Sequence, residues 1–301
     1  MQNKTAKGYL YAILSAVIYG CMPFMSKYIY AEGVNPLTLV FLRNFFSLIP
    51  LAVLAYLESK TLKIPVKQLP AICGISLLGC CITPILLFSS YRFIPSGTAT
   101  VFHFIYPAVV VISEILFFRK KAKAGNLISV GLCVLGIGLF YSPGAAINLT
   151  GSALAILSGI TFAAYVVSLS AFKKQNISGF LFCFYVTAVS SVASFLICIA
   201  TNSLILPASL LGWGLCVLFS LLVTTGAVSL FQKSAFLIGS ERTSILSTLE
   251  PVTAIVLGVV VFKDPFRLNT LLGSTLVVAA SLLIAVLDLR KAKTSDKLIV
   301  S

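Results

Sequence analysis

The chain has 301 residues, 59% of them hydrophobic and 10% charged, with a mean hydropathy of +1.06. A water-soluble domain carries roughly 25% charged residues, so this composition excludes a soluble fold and makes lipid the solvent. The net charge of +14 does not mark a nucleic-acid partner, because Lys and Arg sit in short segments between apolar runs and not on a basic face with aromatic platforms.

Apolar runs long enough to cross hydrocarbon as helices fall at residues 8–28, 37–57, 69–89, 96–118 and 125–142. They recur at 151–171, 179–201, 210–231, 240–262 and 269–288. The sequence therefore predicts an all-α integral membrane protein with ten transmembrane helices. The first run extends from Gly8 to Tyr28, too long for the core of a cleavable signal peptide, and reads as the first span. All eight Cys lie inside apolar runs without CxxC spacing, as small buried hydrophobes and not as a disulfide frame or metal site.

Orientation follows from the basic residues of the short loops. With a cytoplasmic N-terminus, 17 Lys and Arg fall in inner segments and three (Arg92, Lys263, Arg267) in outer ones. Both termini are therefore expected in the cytoplasm, in a plasma or inner membrane. The halves also resemble each other. Ala12-Ile13-Leu14-Ser15 recurs as Ala155-Ile156-Leu157-Ser158, and Tyr106-Pro107 corresponds to Glu250-Pro251. Five spans per copy is an odd number, so the copies are expected upside down relative to each other, an arrangement suited to alternating access around a midplane site. The expected units are residues 1–142, residues 151–288 and a basic tail, 289–301.

In this layout Ser26-Lys27, Asn35-Pro36-Leu37 and Phe41-Leu42-Arg43 are followed, in the second copy, by Leu249-Glu250-Pro251-Val252 and Phe262-Lys263-Asp264-Pro265. In order and spacing these stretches resemble the drug/metabolite transporter superfamily, specifically its EamA-type ten-helix members, over about residues 8–288. Lys120 departs from the pattern, standing where the first copy of family members often carries an acid. The resemblance implies a secondary transporter, an exporter or exchanger of amino acids, amines or other small metabolites.

Ionisable groups at membrane depth are costly and mark candidate sites. His103 is the only histidine, and at 100° per residue His103, Tyr106, Val110 and Glu114 share one helix face. It reads either as a proton carrier or solute partner, or as a neutral imidazole bonded to a neighbouring helix. Glu250 precedes Pro251, where a kink is expected, with Thr243 and Ser247 on its face. It reads as a binder of cations or protons, or as a shared gating element. Arg43, with Asn44 beside it, can attract a carboxylate or close an outer gate. Lys27, nearer a span end, suits snorkelling, and Glu114 an ion pair near the inner loop. Tyr19 lies on a semipolar stripe with Tyr11, Ser15, Met22 and Ser26, and Phe162 and Tyr165 occupy related positions in the sixth span.

The candidate solute contacts are thus Tyr19, Arg43, Asn44, His103, Tyr106, Tyr165 and Glu250. His103, Glu250, Pro251, Glu114 and Lys27 are candidates for coupling or gating. One histidine excludes an HExxH metal site, and neither a GxxxxGK[ST] loop nor a GxSxG elbow occurs. No catalytic residue, cofactor or metal is assigned, and an intramembrane enzyme is the minor alternative. Nucleotide-sugars or phosphorylated compounds call for several buried cations, and Arg43 alone is well placed. The expected partners are a small solute, the lipid bilayer and a proton for coupling.

Overall fold

A computed structural model describes residues 2–117, 124–139, 148–172, 177–247, 249–262 and, with single-residue gaps, 268–283. All regular structure among the described residues is helical. Among the described residues, seven stretches are long and apolar enough to cross a membrane: Thr5–Ala31, Pro36–Ser59, Val66–Ser90, Ser96–Phe117, Leu149–Leu169, Gly179–Ala200 and Leu210–Ile238. Shorter helices stand where the fifth, ninth and tenth spans are expected: Ala124–Gly138, Ser240–Leu246 with Leu249–Phe262, and Leu271–Ala280. The turns around Arg119–Lys121 and Lys263–Pro265 and the tail 289–301 lie outside the described residues. Apolar side chains such as Ile49 and Leu210 point outward, as lipid-facing surfaces must.

The helices are α1 (Gln2–Ala31), α2 (Pro36–Phe45), α3 (Leu48–Ser59), α4 (Leu69–Ser76), α5 (Thr83–Ser90), α6 (Ser96–His103) and α7 (Tyr106–Phe117). They continue as α8 (Ala124–Gly138), α9 (Leu149–Phe172), α10 (Gly179–Ala200), α11 (Leu210–Phe219), α12 (Ser229–Ile238), α13 (Ser240–Leu246) and α14 (Leu249–Phe262). Polar caps start them. Asn35 accepts from the Thr38 N–H, with Pro36 at the first helical position, and Ser178 and Ser209 cap α10 and α11 in the same way. These side chains satisfy amides that a helix start leaves unbonded. Gly239, at φ 93°, ends α12 in a conformation that L side chains rarely adopt.

Two spans are interrupted by π-helical turns, Leu77–Ile82 between α4 and α5 and Ser220–Val228 between α11 and α12. These segments begin 143 residues apart, as do the capped starts of α2 and α10 and the starts of α7 and α14. The first π-turn has a visible local cause. Pro84 has no N–H to give the carbonyl of Cys80 four residues back, and Asn44 Nδ2 supplies that carbonyl with a donor at 3.2 Å.

The packing forms two main apolar clusters. One gathers Phe104, Tyr106, Tyr165, Val166, Phe182 and Phe231, and the other gathers Met22, Leu39, Phe88, Phe219 and Val223. Tyr19, half-buried on α1, packs against both.

Candidate functional site

The sequence predicts continuous helices over 96–118 and 240–262, and the structure breaks both at mid-span. Pro107 cannot bond the His103 carbonyl, so α6 ends at His103. The amide of Ile105 turns to the carbonyl of Phe102 at 3.3 Å, and α7 restarts at Tyr106. The face shared by His103, Tyr106, Val110 and Glu114 is therefore not one helix face; the break separates His103 from the others. The second break falls at Ser247, before the expected kink at Pro251, with the Glu250 N–H donating to the Ser247 carbonyl at 2.9 Å. Pro251 then takes a position in the first turn of α14, where its missing N–H costs nothing. The broken helices lie together, α6 against α14 and α7 against α13. The Tyr106 hydroxyl crosses between them to the Ser244 carbonyl at 3.3 Å. Irregular backbone at this depth survives only where protein or a polar cavity satisfies it.

His103 is buried and bonded to a neighbouring helix. Its Nδ1 lies 2.8 Å from the Ser158 hydroxyl, which itself donates to the Ala155 carbonyl at 2.6 Å. With the serine proton so placed, Nδ1 is the donor, and in the neutral ring Nε2 remains an acceptor. The imidazole sits among aromatic rings, with Phe162 at 5.3 Å and Tyr106 at 5.5 Å between centroids. The approach of α9 depends on Gly159, whose added Cβ would stand 2.5 Å from the His103 carbonyl oxygen.

Tyr165 continues this aromatic wall, 5.4 Å from Phe162 and stacked on Phe231 at 6.4 Å. Its hydroxyl accepts from Gln232 Nε2 at 2.8 Å, and the Cys183 thiol donates to Gln232 Oε1. Gly79, inside the first π-turn, makes room for the ring.

Two further ionisable groups, Arg43 and Glu250, complete the neighbourhood. Arg43 is 3% exposed, its guanidinium carbon lies 5.7 Å from the Phe88 ring centroid, and its buried Nε has no hydrogen-bond partner. Glu250 is 5% exposed, and among the described residues its carboxylate forms no ion pair or hydrogen bond. The Glu250 backbone meets Gly20 beside Tyr19, and Arg43 lies over Phe88, in the cluster against which Tyr19 also packs. Glu250 lies in the first turn of α14, where the helix dipole favours a negative charge. Gly20 admits α14 closely, since a Cβ there would stand 2.4 Å from that of Thr253.

Asn44 commits its Nδ2 to the Val40 and Cys80 carbonyls, leaving a buried, unbonded Oδ1. Tyr19, Arg43, His103, Tyr106, Tyr165 and Glu250 thus share one neighbourhood. Lys27 stands apart, exposed near the end of α1, and the Glu114 side chain lies outside the described residues. The sequence reading missed Ser244, Gln232 and Cys183 as members, since isolated small polar residues carry no spacing signal. Ser158 was legible as the partner of Ser15 in the repeated Ala-Ile-Leu-Ser stretch. No group of three or more His, Cys, Asp or Glu suited to a metal occurs among the described residues.

The EamA-like transporter family matches this sequence twice, over residues 6–142 and 149–286. The chain belongs to the EamA-like transporter family. An uncharacterized inner membrane transporter of Salmonella typhimurium, YicL, is 24% identical over 97% of this chain and all of its own length. An uncharacterized transporter of Clostridium kluyveri is 23% identical over 92% of each chain. A Haemophilus influenzae transporter, also uncharacterized, is 26% identical over 47% of this chain and 46% of its own. One crystal structure shares the fold, with a TM-score of 0.71 at 16% identity over 95% of this chain and 98% of the other. This EamA-like protein is thus a multi-pass membrane transporter and not an enzyme.

Proposed function

We propose that this EamA-like protein is a secondary transporter, exporting or exchanging small amino acids, amines or related neutral, zwitterionic or cationic metabolites by alternating access around a midplane site. The carrying observation is a buried arginine and a buried carboxylate that do not pair with each other, in the neighbourhood of Tyr19. Unpaired buried charges are expensive. A solute bearing complementary charges relieves both, with its carboxylate at Arg43 and its ammonium at Glu250. The aromatic wall of Tyr106, Phe162 and Tyr165 supplies the apolar remainder of the pocket, and His103 adds a polar contact. Asn44 contributes its Oδ1.

The surrounding scheme has ten spans in two inverted repeats, residues 1–142 and 151–288, with both termini and the tail 289–301 cytoplasmic in a plasma or inner membrane. The loop charge bias and the 143-residue offsets support it. His103 and Glu250 are the groups for proton coupling. Pro251, Glu114 and Lys27 serve gating. Phosphorylated solutes and nucleotide-sugars are disfavoured because, among the described residues, Arg43 is the lone cation in this neighbourhood.

The first test is the thermal stability of the detergent-purified protein against amino acids, amines, organic cations and nucleosides. A solute at 100 times its dissociation constant stabilises a single site by about 2.7 kcal/mol. A selective rise among zwitterions or amines is expected, followed by saturable uptake into proteoliposomes. His103→Ala and Glu250→Gln should impair that uptake while leaving membrane insertion intact. Parental rates in both variants across the pH range would remove the polar centre from the mechanism.

A further inference from the structure

The two π-helical turns are held by the same contact, made twice. Ser220, which opens the second turn, donates its hydroxyl to the Arg43 carbonyl at 2.6 Å. Ser47 Oγ sits 3.0 Å from the Ser220 carbonyl and 2.7 Å from its hydroxyl. Across the molecule, Ser76, which precedes the first turn, donates to the Val186 carbonyl, and Ser190 donates to the Ser76 carbonyl at 3.0 Å. Arg43 and Val186 are 143 residues apart, as are Ser47 and Ser190. All four serines are buried. Each contact joins the two halves of the chain, and neither follows from the sequence repeat that first related those halves.

We propose that the π-turns are paired hinges and that Ser220 and Ser76 are their latches, each released in a different half of the transport cycle. This rests on the inverted-repeat reading above. A π-turn is a local defect in the helical ladder, often found at functional positions, and it bends where a continuous α-helix resists. The latches sit in opposite halves of the membrane. Arg43 lies in the first half of the Pro36–Ser59 span and Ser220 directly after α11, both within the membrane half that holds the α2 N-terminus. Val186 lies early in α10 and Ser76 at the end of α4, within the half that holds the α10 N-terminus. Releasing Ser220 therefore frees the first half, and releasing Ser76 frees the second. Ser220 and Ser47 also act as positioning residues for Arg43, since they grip its backbone.

The test is hydrogen–deuterium exchange on the full-length purified protein without solute, so its outcome is independent of the substrate class. Two reporter regions mark the two ends. Residues 203–212 include the Ile205 amide, bonded to Thr38 Oγ1, and the Gly212 amide, bonded to Ser209. Residues 178–182 include the Phe180 amide, bonded to Glu58, and the Leu181 amide, bonded to Ser178. Ser220→Ala should accelerate exchange in residues 203–212 about fivefold, the equivalent of one net hydrogen bond, and leave residues 178–182 unchanged. Ser76→Ala should do the reverse. Ser47→Ala and Ser190→Ala, which spare the latch serines, should follow their partners and serve if either first variant fails to fold. Acceleration of both regions together, of the same region by both latches, or of neither overturns the proposal.

Discussion

Helices α2 and α10 occupy matching places in the two halves, and their differences are informative. Both start on a polar cap, Asn35 or Ser178, and both carry a serine in a clasp to a π-turn, Ser47 or Ser190. Between cap and clasp they diverge: Arg43 and Asn44 in α2 stand where α10 has Val186 and Thr187. The broken helices repeat the lesson. At the 144-residue offset that matches Pro107 to Pro251, His103 and Tyr106 correspond to Ser247 and Glu250. Side chains that bond backbone recur in both halves, whereas those that bring charge, imidazole or phenol occur in one. In the proposed scheme an inverted repeat exchanges its two shapes to alternate access, so its hinges are expected to match. A solute bound between unlike halves needs no such symmetry, and the chemistry accumulates where the copies differ.

Placing the second half's residue into the first breaks this comparison most directly. Arg43→Val keeps the carbonyl that the clasp needs, and α10 already tolerates Val at the matching position. The protein should purify with near-parental stability but bind carboxylate-bearing solutes about 100-fold more weakly, given roughly 3 kcal/mol for hydrogen bonds to a charged group. Amines lacking a carboxylate should bind nearly as before. A thermal-shift titration over both solute types checks this, and equal losses for both would assign Arg43 to gating.

Gly79→Ala sharpens the comparison at the aromatic wall. The added Cβ would lie 2.2 Å from the Tyr165 ring, so the ring must move and loosen its bond from Gln232. Overpacking of this kind costs about 1–3 kcal/mol, read as a fall in thermal stability together with weaker solute binding. Gly74→Ala, in the same span with open space around it, is the control and should be neutral or slightly stabilising.

Much of the scaffold was legible in the sequence because hydropathy is a collective signal, averaged over some twenty residues. Seven of the expected runs return as long apolar helices with edges shifted by a few residues, and α11–α12 runs on to Ile238, past the expected 231. The breaks were less legible. Pro107 and Pro251 announce a disturbance, but each helix restarts just before its proline, at Tyr106 and Leu249, and the packing of the broken ends against one another is a tertiary fact. The π-turns were hardly legible: Pro84 marks only the first, and their stabilising partners, Asn44 and the clasp serines, lie dozens to more than a hundred residues away. The ionisable members of the candidate site stood out because charge is rare in this chain. Their neutral partners, Ser158, Ser244 and Gln232, become members only through the fold.

The two ends of the α2–α3/α10 pair differ in the kind of bond that closes them, and this gives the smallest expected effect. One end is held by neutral contacts: the Thr38 hydroxyl donates to the Ser203 carbonyl at 2.9 Å, and Asn35 reaches the same carbonyl. The other is held by charge. Lys233 Nζ lies 2.9 Å from Glu58 and 3.3 Å from the Phe180 ring centroid, while Glu58 accepts the Phe180 N–H at 2.7 Å. The pair is partly exposed, with side-chain accessibilities of 17% and 33%, so solvent and salt screen it. Lys233→Met keeps the apolar stem and should cost about 0.5–1 kcal/mol, with Glu58 still bonding the Phe180 amide. Raising the salt concentration should lower the thermal stability of the parent toward that of Lys233→Met and leave Thr38→Val, altered at the neutral end, with the same salt response as the parent. A salt response in Lys233→Met as large as the parent's would show that the charged end contributes nothing through its ion pair, and would leave the cap on α10 as its working contact.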